Sequence, residues 1–331
     1  MIHIALDVMG GDNAPASNLG GAKLALQENK DVFLHLVGQE APIRAFLNAN
    51  PDMDTTRIEV VNAEEVIETG EPPVVAIQKK KNSSLVLAMK LLKDGTCDAL
   101  VSAGSTGAVL VGGQTIAGRL KGVKRSPLAI VVPTTKGKSV IVDCGANVDA
   151  KPEVLVQFAI MGSLYAKHIL GIENPTVGLV NIGVEEEKGN DLTRETYPLL
   201  KACDKINFIG NAEARDIAFG VSDVLVTEAF TGNVVLKMYE GVAKALLKQI
   251  KTSLKSTVLG SIGGLLIKPS LKGLVKTFDS SEDGGAPMLG LNGLIIKAHG
   301  NSTDIQIKNA ILQCISAKEN DLRGKIQDAI S

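Results

Sequence analysis

The amino-acid sequence contains no tryptophan, and aromatic side chains make up only 3% of its 331 residues. It also lacks an excess of either charge, since 35 basic and 36 acidic side chains leave a formal net charge of -1. Proteins that bind nucleic acids need a basic face for the phosphate backbone, and those that bind single strands usually add aromatic side chains that stack on the bases. These shortages argue against a nucleic acid partner.

Cysteine and histidine are also scarce, with four residues of each. The cysteines lie far apart without a C-x-x-C pair, and the histidines do not stand at the spacing of a zinc site. No apolar run approaches the roughly 18 residues that a membrane-spanning helix requires, and the chain begins with a strand pattern rather than a signal peptide. We therefore expect a protein of the reducing cytoplasm that holds no metal ion and does not cross a membrane.

Glycine is abundant, with 34 residues, which is about a tenth of the chain against an average near 7%. Hydrophobic residues make up 45% of the sequence, which is enough for a sizeable core and argues against intrinsic disorder. The glycines show no collagen-like period. Many loops are therefore expected to turn tightly or to approach a ligand closely.

Short β-branched runs alternate with longer helical patterns, which is typical of βαβ units and of a mostly parallel sheet. Residues 133–138 are too few to join two strands except as a hairpin, so one antiparallel pair is predicted. We expect a single α/β domain over residues 1–331. The predicted strands cover residues 2–7, 32–37, 57–61, 98–102, 128–132, 139–143, 176–181, 206–210, 223–227 and 293–297. The predicted helices cover residues 15–28, 72–93, 106–119, 151–169, 190–203 and 303–326.

Polar and small residues collect after the predicted strands, where open α/β sheets bind their ligands. Loops rich in glycine and amide side chains, followed by helices, offer unpaired backbone N–H groups to an anion. Ordinary turn chemistry explains any one of these loops, but six or seven of them on one rim favour an anion-binding site. The candidate binding residues are Asp7, Gly10, Gly11, Asp12, Ser102, Gly104, Ser105, Thr106, Gly107, Asp143, Asn147, Asn190, Asn211, Glu213, Thr231, Gly232 and His299.

Two groups of charged or polar residues near these loops are candidates for chemistry. Lys188 stands between a predicted strand and a helix, where a cation would hold phosphate or protonate a leaving group, although a solvated charge run explains it equally well. Asn82, Ser83 and Ser84 follow three consecutive lysines and form a second candidate phosphate contact, for which a solvent-facing segment is the alternative.

Two familiar phosphate motifs are absent. No G-x-G-x-x-G follows a strand, so a dinucleotide fingerprint is not supported, and residues 137–139 resemble the end of a Walker A loop without its first glycine. Cys144 stands where a nucleophile would, but no histidine is near it in sequence, which favours a buried thiol. His299 is either a polar or acid–base contact or a helix cap.

Residues 241–278 carry seven lysines and no acidic residue, which places +7 on this segment and leaves -8 on the rest. Apolar residues recur every fourth position beside a separate lysine stripe, so two amphipathic helices are predicted. Pro269 and a cluster of three glycines are expected to separate them, giving a helical hairpin with residues 258–267 at its tip. A bundle or dimer interface explains the apolar stripe of the shafts, while the tip favours shallow contact with an anionic bilayer. The predicted membrane contacts are Leu265, Leu266, Ile267 and Lys268.

Eight motifs, in order and over essentially the whole chain, resemble the bacterial phosphate acyltransferases of phospholipid synthesis, the PlsX family. Ser105 and Cys144 depart from the family pattern, where asparagine and valine are common, and both lie beside the proposed site. The motifs are LDVMGGD at residues 6–12, KNSS at 81–84, SAGSTG at 102–107, DCGANVD at 143–149, AKPE at 150–153, EKGN at 187–190, FTGN at 230–233 and KAHG at 297–300.

The resemblance implies a three-layer, Rossmann-like α/β fold similar to phosphotransacetylases and isocitrate-dehydrogenase-type enzymes, with a protruding helical hairpin. It implies a homodimer attached peripherally to the cytoplasmic membrane. The implied reaction moves a long-chain acyl group from acyl carrier protein to inorganic phosphate and gives acyl phosphate without a cofactor. Lys188 would stabilise charge or protonate the leaving group, Asn233 would stabilise the oxyanion, and residues 82–84 and 102–107 would hold phosphate.

Three other functions are kept as alternatives. A phosphotransacetylase-like enzyme would use a short acyl-CoA with the same loops. A non-catalytic scaffold at a lipid surface would account for the basic hairpin alone. A pyridine-nucleotide dehydrogenase is disfavoured by the missing fingerprint, although some relatives of the fold bind such cofactors through other loops.

Overall fold

The strands of the protein are divided between two sheets. The computed structural model describes residues 1–277 and 284–331, and for residues 269–277 it describes the backbone alone. An isolated backbone bridge between Leu128, just before the first strand of one sheet, and Met288 in the other connects the two sheets. Helices pack on both faces of the strands, which confirms the predicted mixed α/β architecture in three layers.

The first sheet contains β1 (Ile2–Asp7), β2 (Val32–Gly38), β3 (Ile58–Asn62), β4 (Ala99–Ser102), β10 (Ala286–Met288) and β11 (Leu294–Lys297). Their spatial order is β10-β11-β4-β1-β2-β3, and all neighbours are parallel except β10 and β11. β10 is not predicted from the sequence, because its three residues include Pro287, and proline is unusual in strands.

The second sheet contains β5 (Ala129–Thr134), β6 (Gly137–Val142), β7 (Thr176–Asn181), β8 (Asn207–Glu213) and β9 (Val224–Val226). Their order is β5-β6-β9-β7-β8. β5 and β6 are antiparallel, with Ala129 opposite Val142, so the predicted hairpin is confirmed. The other neighbours are parallel.

Eleven α-helices are found in the described part of the chain. Two predicted helices are each divided in two: residues 72–93 break where Ser83 caps a new helix, and residues 303–326 break at Asp321, whose φ is +45°. The second helix in the chain was not predicted. The helices are α1 (Ala16–Glu28), α2 (Glu40–Ala49), α3 (Pro73–Lys79), α4 (Ser84–Lys93), α5 (Thr106–Gly112), α6 (Pro152–His168), α7 (Asp191–Lys201), α8 (Ala229–Lys255), α9 (Val258–Thr277), α10 (Asp304–Glu319) and α11 (Leu322–Ile330).

Buried apolar side chains cover both faces of each sheet, because successive residues of a strand point to opposite faces. On the first sheet, Leu6 belongs to the cluster formed with α1 and α10, and Leu100 to the cluster formed with α4 and α5. On the second sheet, the ring of Phe158 from α6 is fully buried on one face, and Ile141 and Leu236 pack together on the other. The packed faces fix which strands are neighbours, and thus which loops meet.

The parallel strands bring the polar loops to the same edges. β11, β4 and β1 are consecutive and parallel, so their carboxyl ends lie side by side. In the second sheet the same holds for β6, β9, β7 and β8. Ligands of open α/β sheets bind beyond such ends.

The basic segment forms the end of α8 and all of α9, which contact each other as neighbouring helices. α8 runs from Ala229 to Lys255 without a break, and α9 begins at Val258. The prediction that residues 258–267 form the tip is therefore wrong, since they are the first half of α9. The turn lies at Ser256 and Thr257, where the Thr257 hydroxyl accepts the backbone N–H of Gly260 at 2.9 Å and caps the new helix.

The predicted membrane contacts lie on α9 rather than on a loop. Leu265 and Leu266 expose 70% and 77% of their surface, and the neighbouring Ile267 and Lys268 are also exposed. Further along, the side chains of Leu271, Leu274, Val275, Lys272 and Lys276 and the whole of Phe278, which the sequence assigns to the second amphipathic stripe, lie outside the described residues. Among the described residues, no helix combines the length and apolarity needed to span a bilayer.

Candidate active site

Three buried polar side chains stand side by side at the carboxyl ends of adjacent strands. The register pairs Asp7 of β1 with Ser102 of β4, and Ser102 with Lys297 of β11. Neighbours in register on parallel strands point to the same face of a sheet. Their exposed fractions are 1%, 0% and 8%, respectively. We call this set the buried polar row; it places a carboxyl, a hydroxyl and an amino group in the interior.

Hydrogen bonds tie the buried polar row to the loop after β4. Ser102 Oγ donates to Asp7 Oδ2 at 2.7 Å and accepts the backbone N–H of Gly104 at 3.1 Å. Lys297 Nζ donates to the carbonyl oxygen of Ala103 at 3.4 Å and also to that of Ala298. The loop is thus held by side chains from two neighbouring strands.

Glycine lets the loops after β1 and β4 approach each other. A Cβ atom on Gly10 would lie 2.5 Å from Asp7 Oδ2 and 2.7 Å from the backbone nitrogen of Gly104. Real Cβ atoms do not come so close to such atoms, and the backbone nitrogen has little freedom to move. A side chain at Gly10 would therefore push the two loops apart.

The loop after β11 joins the same rim. Gly11 has a φ of +104°, and a Cβ atom there would lie 2.9 Å from the carbonyl oxygen of Gly300. The backbone N–H of Asp12 donates to that oxygen at 2.6 Å. Of the predicted binding residues, the fold thus brings together Asp7, Gly10, Gly11, Asp12, Ser102 and Gly104.

Burial governs the protonation of the two ionisable groups in the row. It raises the pKa of Asp7 above its ordinary value, and hydrogen bonds, first among them those from Ser84 and Ser102, oppose the rise. Burial also lowers the pKa of Lys297 to about 8, against the opposing effect of the negative charges of Asp7 and Asp12. A lysine with this pKa is still mostly a cation at pH 7.

The predicted phosphate contact at residues 82–84 lies where α4 begins. Ser84, its first residue, faces Asp7, whose pKa it lowers. Ser83 precedes the helix, and its hydroxyl accepts a backbone N–H of the first turn at 3.4 Å. Asn82 donates its backbone N–H to Glu65 Oε2 at 2.9 Å. Ser84 therefore lies beside the buried polar row, next to Asp7, while the Ser83 hydroxyl caps the helix.

The rest of the predicted glycine-rich loop leads into α5. Ser105 is buried just before the helix, and Thr106 is exposed at its first position. A Cβ atom on Gly107 would lie 2.5 Å from Pro73 Cγ, so this glycine permits α5 to pack against the start of α3. Gly107 thus serves packing, whereas Thr106 faces solvent.

His299 lies between the buried polar row and α8. Desolvation lowers its pKa below the ordinary value; Glu240 opposes this, while Lys297, Lys237 and Lys244 act in the same direction as desolvation. The imidazole is therefore neutral at pH 7. Since α8 follows a strand of the second sheet, His299 marks a place where groups from the two sheets meet.

Asp143 organises the loop after β6. Its Oδ1 atom accepts the backbone N–H groups of Leu128, Gly145 and Ala146 at 3.0, 3.1 and 3.0 Å, respectively. Its Oδ2 atom accepts the backbone N–H and the side-chain amide of Asn147 at 2.8 and 2.7 Å. Burial raises the pKa of Asp143, and these hydrogen bonds oppose the rise. The two predicted residues, Asp143 and Asn147, are therefore hydrogen-bonded to each other, and this contact helps to fix the shape of the loop.

The first turn of α8 packs on this loop. Glu228 caps the helix, with its carboxylate accepting the backbone N–H of Thr231 at 3.0 Å. A Cβ atom on Gly232 would collide with the carbonyl oxygen of Asp143, so glycine is needed for the close approach. Asn233 follows directly and is exposed. The fold thus sets the predicted oxyanion residue at the end of a tightly packed turn.

Lys188 lies on an exposed loop after β7 that two asparagines hold. Asn181 Nδ2 donates to the carbonyl oxygen of Lys188 at 3.0 Å, and Asn211 Nδ2 donates to that of Glu185 at 2.7 Å. Within the described part of the chain, the ammonium group of Lys188 makes no ion pair or hydrogen bond. The loop therefore leaves this ammonium group without a bonded partner among the described residues, although Glu185, Glu186 and Glu187 directly precede it.

The two remaining predicted residues serve neighbouring structure. Asn190 caps α7, with its Oδ1 atom accepting the backbone N–H of Thr193 at 3.0 Å. Glu213, at the end of β8, forms an ion pair with Arg215 Nε at 2.9 Å. The side chains of Asn190 and Glu213 are therefore bonded to residues next to them in the sequence.

Cys144 is a buried thiol, as the sequence favours. It is 3% exposed, and its Sγ atom points to the carbonyl oxygens of Ile141 and Gly232 at 3.7 and 3.8 Å. Burial, together with the negative charges of Asp143 and Glu240, raises its pKa well above the ordinary value. Because the thiolate is the nucleophilic form, the site disfavours a nucleophilic role.

Lys297 is not among the predicted binding residues, although the KAHG motif at residues 297–300 contains it and the predicted residue His299. The available signal is a lysine at the last position of an otherwise apolar strand, Leu294–Lys297. Glu240 of α8, which acts on both His299 and Cys144, is likewise missed. Among the described residues, no group of three histidine, cysteine, aspartate or glutamate side chains is arranged to hold a metal ion.

Comparison with known proteins gives full-length matches. The family described as "Fatty acid synthesis protein" matches residues 2–325. A phosphate acyltransferase of Clostridium perfringens is 50% identical over 331 residues, which cover 100% of this chain and 97% of that protein. A phosphate acyltransferase of Brevibacillus brevis is 46% identical over 330 residues, which cover 99% of this chain and 97% of that protein.

Solved structures with a similar fold include two phosphotransacetylases. One from Streptococcus pyogenes has a TM-score of 0.65 at 16% identity, covering 96% of this chain and 94% of that one. EutD phosphotransacetylase from Staphylococcus aureus has a TM-score of 0.59 at 17% identity, with the same coverages of 96% and 94%. At these identities the likeness concerns the fold.

We predict that Asp143→Ala lowers the free energy of unfolding by roughly 3 kcal/mol or more, because buried N–H donors lose their acceptors. Urea-induced unfolding measures the change. Asp149→Ala, in the exposed part of the same segment, is the matched control and is expected to shift stability by less than about 0.5 kcal/mol. Equal stability of the two variants would contradict the organising role of Asp143.

Proposed function

The chain belongs to the phosphate acyltransferase family, and from that premise we propose that it transfers a long-chain fatty acyl group from acyl-[acyl-carrier-protein] to inorganic phosphate. The acyl phosphate would serve the synthesis of phosphatidic acid and phospholipids. One observation carries this proposal: motifs far apart in the chain, at residues 6–12, 102–107 and 297–300, meet at the ends of three adjacent strands. Their loops can surround a small anion.

The proposed chemistry needs positioning and charge stabilisation more than a covalent intermediate. A phosphate oxygen attacks the thioester carbonyl carbon, the carbon–sulfur bond breaks, and the carrier leaves as a thiolate that takes up a proton. Binding raises the effective concentration of phosphate near the carbonyl, and donors aimed at the developing oxyanion lower the barrier. No step requires a cofactor.

Lys188 and Asn233 are our candidates for the charge-stabilising groups. The ammonium group of Lys188 is exposed on its loop, so a substrate can reach it. We propose that it stabilises negative charge or protonates the leaving thiolate. Asn233 offers an amide N–H for the oxyanion, on a turn that Gly232 packs against the Asp143 loop. The backbone donors of residues 102–107 would hold phosphate.

We further propose that the protein works as a homodimer. Val234, Met238, Val242, Leu246 and Ile250 recur every fourth residue along α8, and each exposes more than 40% of its surface. Such a contiguous apolar stripe on a solvent-exposed face is typical of a protein interface. A groove of about 670 Å³ runs beside it, with the segment at residues 214–218 as its other wall.

Peripheral attachment to the cytoplasmic face of the membrane is the last part of the proposal. Leu265 and Leu266 are exposed on α9, and Lys268 follows them. Apolar side chains beside lysines suit shallow insertion into an anionic lipid surface. The same lysine-rich segment is also suited to an acidic carrier protein, because the charges are complementary.

The proposed reaction predicts phosphate-dependent acyl phosphate. Purified protein is incubated with palmitoyl-[acyl-carrier-protein], and hydroxylamine converts acyl phosphate to hydroxamate; omission of phosphate corrects for direct attack on the thioester. We expect turnover at least about tenfold faster than with acetyl-CoA, since a long chain adds apolar binding energy. Faster turnover with acetyl-CoA would favour a phosphotransacetylase-like enzyme, and no product with either donor would favour a scaffold.

Lys188→Ala is expected to lower turnover by about a hundredfold or more, because it removes a group that stabilises transition-state charge. The hydroxamate assay measures the effect. Lys167→Ala removes an exposed lysine from the last turn of α6, ahead of β7, and should keep turnover within about threefold of the parent. Near-normal turnover of Lys188→Ala would remove this residue from the mechanism.

Leu265→Glu with Leu266→Glu is expected to abolish flotation with phosphatidylglycerol vesicles, because two charges replace inserting side chains. The control exchanges another adjacent exposed pair, Val74→Glu with Val75→Glu on α3, and should float as the parent does. Flotation of both double variants at the parent level would exclude this part of α9 as the membrane contact.

A further inference from the structure

The buried polar row combines more charge than an interior site normally tolerates. Asp7 and Lys297 flank Ser102 in register, and all three are nearly inaccessible. An uncompensated buried charge is strongly destabilising, so such groups are found paired or hydrogen-bonded. The two ends also act on each other, since the negative charge of Asp7 opposes the lowering of the pKa of Lys297.

The hydrogen bonds of Lys297 go to backbone carbonyl groups of two different loops. Its Nζ atom donates to the carbonyl oxygen of Ala103, on the loop after β4, and to that of Ala298, on the loop after its own strand. Asp12 is close enough for its charge to act on the ammonium group. Lys297 therefore contacts or influences all three loops of this rim.

The Asp7 carboxyl group lies where its negative charge would repel an anionic ligand. Its Oδ2 atom accepts from Ser102, and a Cβ atom on Gly104 would lie 3.3 Å from the same oxygen. A phosphate held by the loop after β4 would thus lie near a carboxyl group. Like charges at such short range repel, and a buried cation in the same row reduces that repulsion.

We propose that Lys297 is a positioning residue for phosphate, which balances the negative charge of Asp7 and holds the Ala103 and Ala298 carbonyl groups so that the loops after β4 and β11 keep their binding shape. The assignment rests on the proposed function in naming phosphate as the ligand. It predicts that Lys297 affects phosphate binding more than acyl-donor binding or turnover.

The principal test is Lys297→Met, which keeps an unbranched side chain and removes the charge. We expect the KM for phosphate to rise at least about tenfold, which corresponds to about 1.4 kcal/mol. The kcat and the KM for palmitoyl-[acyl-carrier-protein] are expected to stay within about threefold of the parent. A folded variant with an unchanged KM for phosphate, or with equal effects on both KM values, would overturn the assignment.

Two further variants separate charge from hydrogen bonding. Lys297→Gln keeps an N–H donor for the carbonyl groups without the charge, and it decides the test if the methionine variant does not fold. Lys297→Met combined with Asp7→Asn restores a neutral row, and we expect it to recover phosphate affinity relative to Lys297→Met alone. If the double variant shows no recovery, or if neither single variant folds, Lys297 has a purely structural role.

The control removes a helical lysine that lies near the start of the neighbouring strand β4, away from the row. Lys318 of α10 pairs with Asp98, just before β4, at 2.9 Å. Lys318→Met should leave the KM for phosphate unchanged within about twofold. A similar rise in this variant would show that the effect is not specific to the row and would overturn the proposal.

Phosphate-dependent thermal stabilisation gives a readout that needs no turnover. A ligand that binds the native state raises its stability by mass action. Inorganic phosphate should raise the melting temperature of the parent and of Lys318→Met, but much less that of Lys297→Met. If the parent forms no acyl phosphate yet shows this pattern, the proposed function fails and the Lys297 assignment stands. If phosphate does not stabilise the parent, the Lys297 assignment fails.

Discussion

Asp7 and Lys297 are two ionisable groups buried in one row of side chains, and the arrangement of the first-sheet rim depends on the constraint that each of them needs compensating contacts. A buried charge without such contacts is strongly destabilising. The register of β1, β4 and β11 satisfies the constraint by placing Ser102 between the two groups. The loops that follow are then fixed by bonds to the row, and Gly10 is needed because a side chain would enter the space between Asp7 and Gly104.

The sequence predicts much of the framework because its strands are short, apolar and bounded by polar turns. Both β1 and β7 begin and end at the predicted residues. The loops after β1 and β4 are also identified correctly as neighbours, since parallel strands end at a common edge. Lys297 is different, because its burial depends on the pairing of β11 with β4, and no local pattern contains that pairing.

Local hydrogen bonding accounts for several other differences. The Ser83 hydroxyl caps α4, although residues 82–84 are a candidate phosphate contact in the sequence. Thr257 caps α9 and moves the turn of the basic segment ahead of the glycine cluster. Asp143 is surrounded by donors of its own loop. In each case a polar side chain bonds backbone N–H groups two to four residues away, and at Ser83 and Asp143 these contacts compete with the ligand-binding role that the motif suggests.

Helix α8 is continuous and connects the site to the outer surface of the molecule. Its 27 residues span about 40 Å, from the turn packed on the Asp143 loop to the end joined to α9. Gly232 is the point of closest contact at its inner end, because the helix backbone there lies directly against the carbonyl oxygen of Asp143. Because the helix is continuous, a rigid tilt at its far end would also move the turn that carries Asn233. The position of Asn233 therefore depends on what the outer part of α8 contacts.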